Sequence, residues 1–374
     1  MSTWNELADK MLAADGPAAL VCRQWLMPAE GRDAVIFPPT FAPPEGKPGP
    51  ADYISDPLGD SDDAKASLVV LIDSVGSQAN RMEPLFKREN GTDTAYSRLV
   101  PQIEIKAGNK KIDLLDAGHR AADAIVRYST LGPKLREAFE AYHESGDVTL
   151  LAKLAPTSIV FGAWDSREWP GARTTHAKLP RLVASTIRAY DVVKLTRKAQ
   201  YFPPLRYEDH DLLDDDVKGA KQLSDLGFVE VPAERSPGGV IVRGEIRREA
   251  ILSLVGVRAL GPKGSSGDAL RRYILGLGLV AMTFDRAHDL RQGCLLVGDP
   301  DKPAMWQLVA HDGERTSFKP DADAALAFAQ EAAKVFGVGE SRTGDKAIKF
   351  DAKAANEAIK EKVGGGRARG RQGG

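Results

Sequence analysis

Cysteine is nearly absent: Cys22 and Cys294 are the only two in 374 residues. Their separation offers neither a metal-type spacing nor a disulfide framework, so a reducing cytoplasm is the simpler compartment. No stretch approaches the roughly 18 apolar residues that a bilayer span requires. The N-terminus lacks a basic start followed by an apolar run and a small-residue cleavage site, so no signal peptide is expected. The six histidines, His119, His143, His176, His210, His288 and His311, form no H-E-x-x-H motif, and neither a Cys–His arrangement nor a G-x-S-x-G elbow occurs. The loop GPKGSSG at 261–267 lacks the order of a phosphate loop. Lys263 and its neighbouring amides remain candidates for a phosphate contact, with a plain turn before a helix as the simpler reading. Asp209, His210, Asp211 and Asp214 to Asp216 crowd together but lack the central glycine and late glutamate of an EF-hand-type loop. They read as an acidic, solvated insertion. No metal site and no cofactor are expected, and no internal repeat occurs.

What is present fits a soluble globular protein, with 43% hydrophobic and 28% charged residues and enough length to bury a core without staples. The net charge of −1 hides a strong segregation. Residues 1–75 carry −7, 76–206 carry +7, 207–235 carry −6 and 236–374 carry +5. Basic segments of this kind can gather on one face and hold phosphates; mixing of both signs on a solvated surface is the bland alternative.

Residues 18–27 read as an apolar strand. A proline-rich loop spans 37–65, where prolines deprive the chain of donors for a sheet. Helical patterns lie near 115–128 and 133–143, the second opened by Gly132-Pro133 and closed before Gly146. Ser158 to Gly162 looks like a strand and leads into a Trp/Arg loop at 164–180. Residues 181–195 alternate and carry β-branched side chains, so another strand is expected, with Arg181 and Arg188 on opposite faces. An acidic insertion spans 206–236. Residues 239–260 place Ile246, Ala250, Leu254 and Val257 at helical spacing. A helix near 268–277, strands at 278–284, 293–298 and 304–310, and an Ala-rich helix from Asp321 to Phe336 follow. Strands and helices interleave without a regular βαβ rhythm, which favours α+β. The expected division is a core over 1–312, a helical segment over 313–363 and a disordered basic tail over 364–374.

Residues 71–86, LIDSVGSQANRMEPLF, concentrate the functional signal. Wound as one helix, they place Leu71, Val75, Ala79, Met82 and Phe86 on an apolar stripe. A neighbouring face carries Ser74, Ser77, Gln78 and Arg81, with Asp73 and Asn80 close by. An ordinary solvated face would use Lys and Glu; Ser and Asn are poor helix formers. Short neutral donors beside one Arg suit a sugar-phosphate backbone with its 2′-hydroxyl. A polar face packed on a loop of the same protein is the alternative.

The run IDSVGSQANRMEP resembles a signature of the Cas-seven RAMP family, in the branch of CRISPR subtype I-U (now I-G) systems. FPPT at 37–40, the Tyr53 region, FGAWDSREWPGARTTHAKLPRLVASTIRAYDV at 161–192, IRREAILSLVGVRAL and LRRYILGLGLVAMT resemble the same family, in order over roughly residues 18–300. The resemblance implies an RRM-like (ferredoxin-like) core with large insertions forming finger and thumb elements. It implies a non-catalytic backbone subunit of a surveillance complex (Cascade). Copies of the chain would line up along a CRISPR guide RNA, join the other subunits and accommodate target DNA, with base pairing reading the sequence. No RNP1-type aromatic run is present, so base stacking on the sheet is not implied.

The 164–180 loop adds Trp164, Arg167, Arg173, His176 and Lys178, followed by Arg181. Cations interleaved with aromatics suit a single strand; tryptophans capping a core edge are the alternative. Two rival functions are a metal-dependent ribonuclease using Asp73, Asp165 or the 209–216 cluster, and a scaffold that binds only protein.

Overall fold

The computed structural model describes residues 2–43, 45–46, 49, 51–58, 67–165, 177–205, 223, 226–229, 231–262, 264–284 and 288–369. Helix α1 (Ser2–Leu12) precedes β1 (Ala19–Pro28). Strands β2 (Ser55–Leu58) and β3 (Ser67–Asp73) lead into α2 (Val75–Met82). A helical stretch follows, whose main members are α3 (Gly132–Ser145) and α4 (Pro156–Phe161). Next come β4 (Val183–Tyr201), β5 (Val231–Val242), β6 (Ile246–Ser253) and α5 (Ser265–Thr283). Strands β7 (His288–Arg291), β8 (Cys294–Gly298), β9 (Met305–Val309) and β10 (Arg315–Ser317) precede α6 (Ala322–Phe336).

The main sheet is antiparallel and curled, in the order β7-β8-β1-β6-β4-β3-β2. Strand β1 shares one edge between two partners, β8 near Pro28 and β9 near Ala19. The path β9-β1-β6-β4 places the fourth, first, third and second strands of an RRM-like unit side by side. The helical stretch connects the first strand to the second, and α5 connects the third to the fourth. The fold is therefore α+β, with an RRM-like core and large insertions.

Alternation decides which side each strand buries. In β6, Ile246, Arg248, Ala250 and Leu252 point inward, and Arg247, Glu249 and Ile251 point outward. Leu20, Leu252 and Val183 meet α5, where Gly278 lets the helix come within contact of Leu252. Gly276 does the same for Ala329 of α6, where an added Cβ would lie 2.9 Å from the Ala329 Cα. Tyr273 stacks on Phe336, ring centroids 4.9 Å apart, and donates its hydroxyl to the Leu99 carbonyl at 2.8 Å. A second inward cluster, including Leu26, Ile72, Ile187 and Ile246, is closed by Leu290 and Leu296 of the curled β7–β8 hairpin.

Several expected elements resolve differently. Residues 71–86 are the end of a strand, a helix and a 3-10 turn rather than one helix. Residues 239–260 begin as strand: a spacing of four falls on one side of a strand as readily as of a helix, and Ile246 and Ala250 are buried that way. Ser158 to Phe161 close a helix, because Pro156 pre-sets its first turn. Residues 115–128 break into three short helical turns. The segment 278–283 continues α5, whose all-round apolar surface is buried between sheet and α6. The boundary expected after residue 312 falls in the turn of the β9–β10 hairpin, and α6 packs against α5. A helix over Ala352–Arg369 extends through 364–369 of the expected disordered tail; the Ala- and Lys-rich stretch before the glycines has the propensity to start it. Both cysteines are free and buried. Among the described residues no helix is long and apolar enough to cross a membrane.

Candidate nucleic-acid interface

Asp73 ends β3, and the chain turns at once into α2. Ser74 caps that helix, its Oγ accepting from the Ser77 amide at 3.2 Å. The turn brings residues five and eight positions further on back over Asp73, whose side chain is 1% exposed. Gln78 donates to Asp73 Oδ2 at 2.6 Å and Arg81 Nε donates to the same oxygen at 3.1 Å. Arg291 approaches the other carboxylate oxygen at 3.5 Å. Gln78 Oε1 in turn accepts from Ser185, whose hydroxyl oxygen accepts from the buried Arg248 at 3.1 Å. Arg248 reaches Gln24 at 3.4 Å. Arg81 also donates to the carbonyls of Leu290 at 2.6 Å and Asp289 at 3.3 Å.

The polar face expected to meet RNA as a unit is thus divided. Gln78 is buried in a chain of polar contacts, and Arg81 ties α2 to the β7–β8 hairpin. Ser74 serves the helix end. Ser77 is half-buried and Asn80 exposed. The physical reason is the strand–turn–helix geometry, which aims this face back at the sheet. Asn80 leads onward, because its Oδ1 accepts from Arg120 at 3.1 Å.

Arg120 was not singled out by any motif, yet it joins three elements. Its Nε donates to Glu83 at 2.7 Å and its Nη1 to the Gly162 carbonyl at 3.2 Å. Its guanidinium lies 5.6 Å from the centre of the Phe161 ring. The residue sits at φ +52°, a left-handed conformation that these contacts hold in place. Burial pushes the Glu83 carboxyl up to about 7, against the opposing pull of the Arg120 cation.

Beside Arg120 opens a cleft of about 420 Å³, lined by His119, Arg120, Gly162, Trp164, Lys178 and Arg181 among others, and none of its described lining residues is acidic. Trp164 is 57% exposed. It lies on the hairpin of Ala163–Asp165 with Ala177–Leu179, in which Trp164 pairs with Lys178. His119 Nδ1 lies 2.9 Å from the Trp164 carbonyl and fixes that strand from the other side. Arg181 Nε donates to the Phe161 carbonyl at 3.1 Å. Burial and the neighbouring Arg120 cation hold its guanidinium below the usual arginine range. Gly162, at φ +76°, is required here, since an added Cβ would lie 2.6 Å from Arg181 Cγ.

The cleft therefore gathers Trp164, Lys178 and Arg181 from the sequence-predicted set, adds His119 and Arg120, and touches Asn80 through Arg120. Arg181 precedes β4, so the opposition with Arg188 inside one strand does not arise. Arg167, Arg173, His176 and Lys263 lie outside the described residues, as do Asp209, His210 and Asp214 to Asp216. A cationic cleft with an exposed indole and no carboxylate among its described lining residues can neutralise phosphates and stack an unpaired base.

Comparison with known families supplies the biological setting. Residues 20–194 match the family model described as CRISPR-associated protein GSU0053. Over this stretch, a little under half of the chain, the sequence is similar to a CRISPR-associated family. The matched stretch contains β1 from its second residue, α2 and every described residue of the cleft, and it is consistent with the Cas-seven type. No curated protein matches the chain. The CRISPR-associated family points to a role in CRISPR defence.

Proposed function

We propose that this chain is a non-catalytic RNA-binding backbone subunit of a CRISPR type I surveillance complex, of the subtype I-U (now I-G) branch. In this reading several copies assemble along the guide RNA, join the other subunits and leave room for target DNA. The observation that carries it is the cationic cleft around Trp164, Lys178 and Arg181, built within the family-matched region. A backbone grip suits this role because phosphate contacts position a strand without reading its sequence.

The engagement of Asp73 supports a binding role over a ribonuclease. Its carboxylate is enclosed by Gln78, Arg81 and Arg291, which leaves little room for a metal ion.

Co-purification followed by sequencing of bound RNA tests the function, and repeat-derived guides are the expected result. The cleft is tested separately. Lys178→Gln with Arg181→Gln should weaken guide binding similarly across sequences and flatten its salt dependence by about one to two phosphate equivalents. Unchanged affinity in a normally folded double variant would remove the cleft from the RNA path.

A further inference from the structure

Among the described residues the helices cover one side of the main sheet and leave the other side open. Ile251 is 42% exposed and Met305 37% exposed on it. The register aligns its side chains in rows across the strands. One row runs Leu71, Arg188, Arg247, Trp25. The next runs Thr186, Glu249, Arg23, Met305, and the third runs Ala184, Ile251, Val21, Gln307.

The first row is unusual in its charge. Arg188 and Arg247 are direct cross-strand neighbours, and like charges in that position destabilise a sheet. Arg247 is balanced by Glu245 at 3.1 Å and lies 3.9 Å from the centre of the Tyr190 ring. Among the described residues Arg188 bonds to the Thr186 hydroxyl, at 2.8 Å, and to no carboxylate. Trp25 stands next to Arg247, its indole nitrogen donating to Glu245 at 2.6 Å. At the far side of a hollow of about 550 Å³, Arg315 donates to Gln307 at 3.3 Å. Arg188 and Arg315 thus lie on an open face with neutral partners, while Arg23 is paired with Glu249 at 3.0 Å.

We propose that this outer face, centred on the Arg188–Arg247 pair, binds the phosphodiester backbone of a single-stranded nucleic acid, with Trp25 and Tyr190 beside the phosphates. A phosphate between two cross-strand guanidiniums removes their repulsion and uses the planar fork of each. Aromatic faces next to it suit unpaired bases of any sequence. A protein partner would instead have to desolvate two like charges at the middle of its interface. The surface is distinct from the cleft: the two share no lining residue.

The test uses the full chain and short fluorescent oligouridylate RNA and oligothymidylate DNA, with anisotropy followed between about 50 and 200 mM salt. Arg188→Gln should weaken binding several-fold and lower the salt slope by about one, while Arg188→Lys keeps the slope. Combining Arg188→Gln with the Lys178→Gln/Arg181→Gln cleft variant should multiply the losses. A loss shared by RNA and DNA assigns the face to phosphodiester in general, and a loss confined to one assigns it to that strand. Unchanged affinity and slope for both strands, at unchanged melting temperature, overturns the proposal while leaving the cleft untouched. Capture of a protein partner that depends on Arg188, with nucleic-acid binding intact, overturns it as well. Loss of RNA binding only in the cleft variant supports the cleft alone, so the two readings fail separately.

Discussion

Removing Arg120 should break the junction beneath the cleft, and the size of the effect should depend on pH. Arg120→Met deletes the cation that faces Glu83 at 2.7 Å, in a site where both side chains are nearly solvent-free. Breaking a buried pair by removing one partner costs about 3–5 kcal/mol, whereas replacing both can be nearly neutral. Glu83 modulates this. Its folded-state pKa of about 7 lies above the ordinary 4.5, so the folded protein holds a proton that the unfolded chain releases. Stability contributed by that proton is present at acid pH and is lost as pH rises through 7. At about 1.4 kcal/mol per pH unit, this loss is on the order of 3 kcal/mol in the wild type. Arg120→Met should be most destabilising at about pH 7.5 and milder at about pH 5.5, where a protonated Glu83 needs no cation. Chemical denaturation at both pH values, followed by circular dichroism, measures this. The Arg120→Met/Glu83→Gln double variant should recover most of the loss. A cost below about 1 kcal/mol, a cost independent of pH, or a double variant no better than the single would refute the coupling.

Two further changes probe the frame around the site. Gly162→Ala should cost about 1–3 kcal/mol and reduce RNA affinity, because the added methyl forces Arg181 out of its place over a left-handed backbone; wild-type melting and affinity would show that the loop adjusts freely. Tyr273→Phe should cost about 1–2 kcal/mol by leaving the buried Leu99 carbonyl without its donor. An unchanged unfolding midpoint would mean that another donor takes its place.

The α+β character and the main apolar strands were legible in the sequence because alternation and turn residues act locally. Strand β1 and helix α6 fall where their patterns place them. The misread elements share a cause. Ile246 and Ala250 are four apart, a spacing that both periodicities allow, and only pairing with β1 and β4 decides for strand. Residues 71–86 change element at Ser74 because β3 pairs with β4, a partner more than a hundred residues away. The cleft was legible only in part. Trp164, Lys178 and Arg181 stand close in sequence with a cation–aromatic rhythm. Arg120 carries no such signal, and its role comes from contacts with residues 37 and 42 positions distant. Gln78 and Arg81 looked like surface donors because their partners other than Asp73, the Ser185 hydroxyl that donates to Gln78 and the Asp289 and Leu290 carbonyls that accept from Arg81, are remote in the chain.

The polar chain under α2 also bears on how this sequence can change over time. Gln24, Asp73, Gln78, Ser185 and Arg248 occupy four strands and a helix, with up to 224 positions between bonded partners. Each supplies the donor or acceptor that satisfies the next. A single replacement strands a buried polar atom, at about 1–3 kcal/mol or more for a charged one, against a total stability of only about 5–15 kcal/mol. Lineages descending from this chain should therefore keep these five residues together or exchange them in concert for an apolar set, and α2 should hold its angle to the sheet in either case.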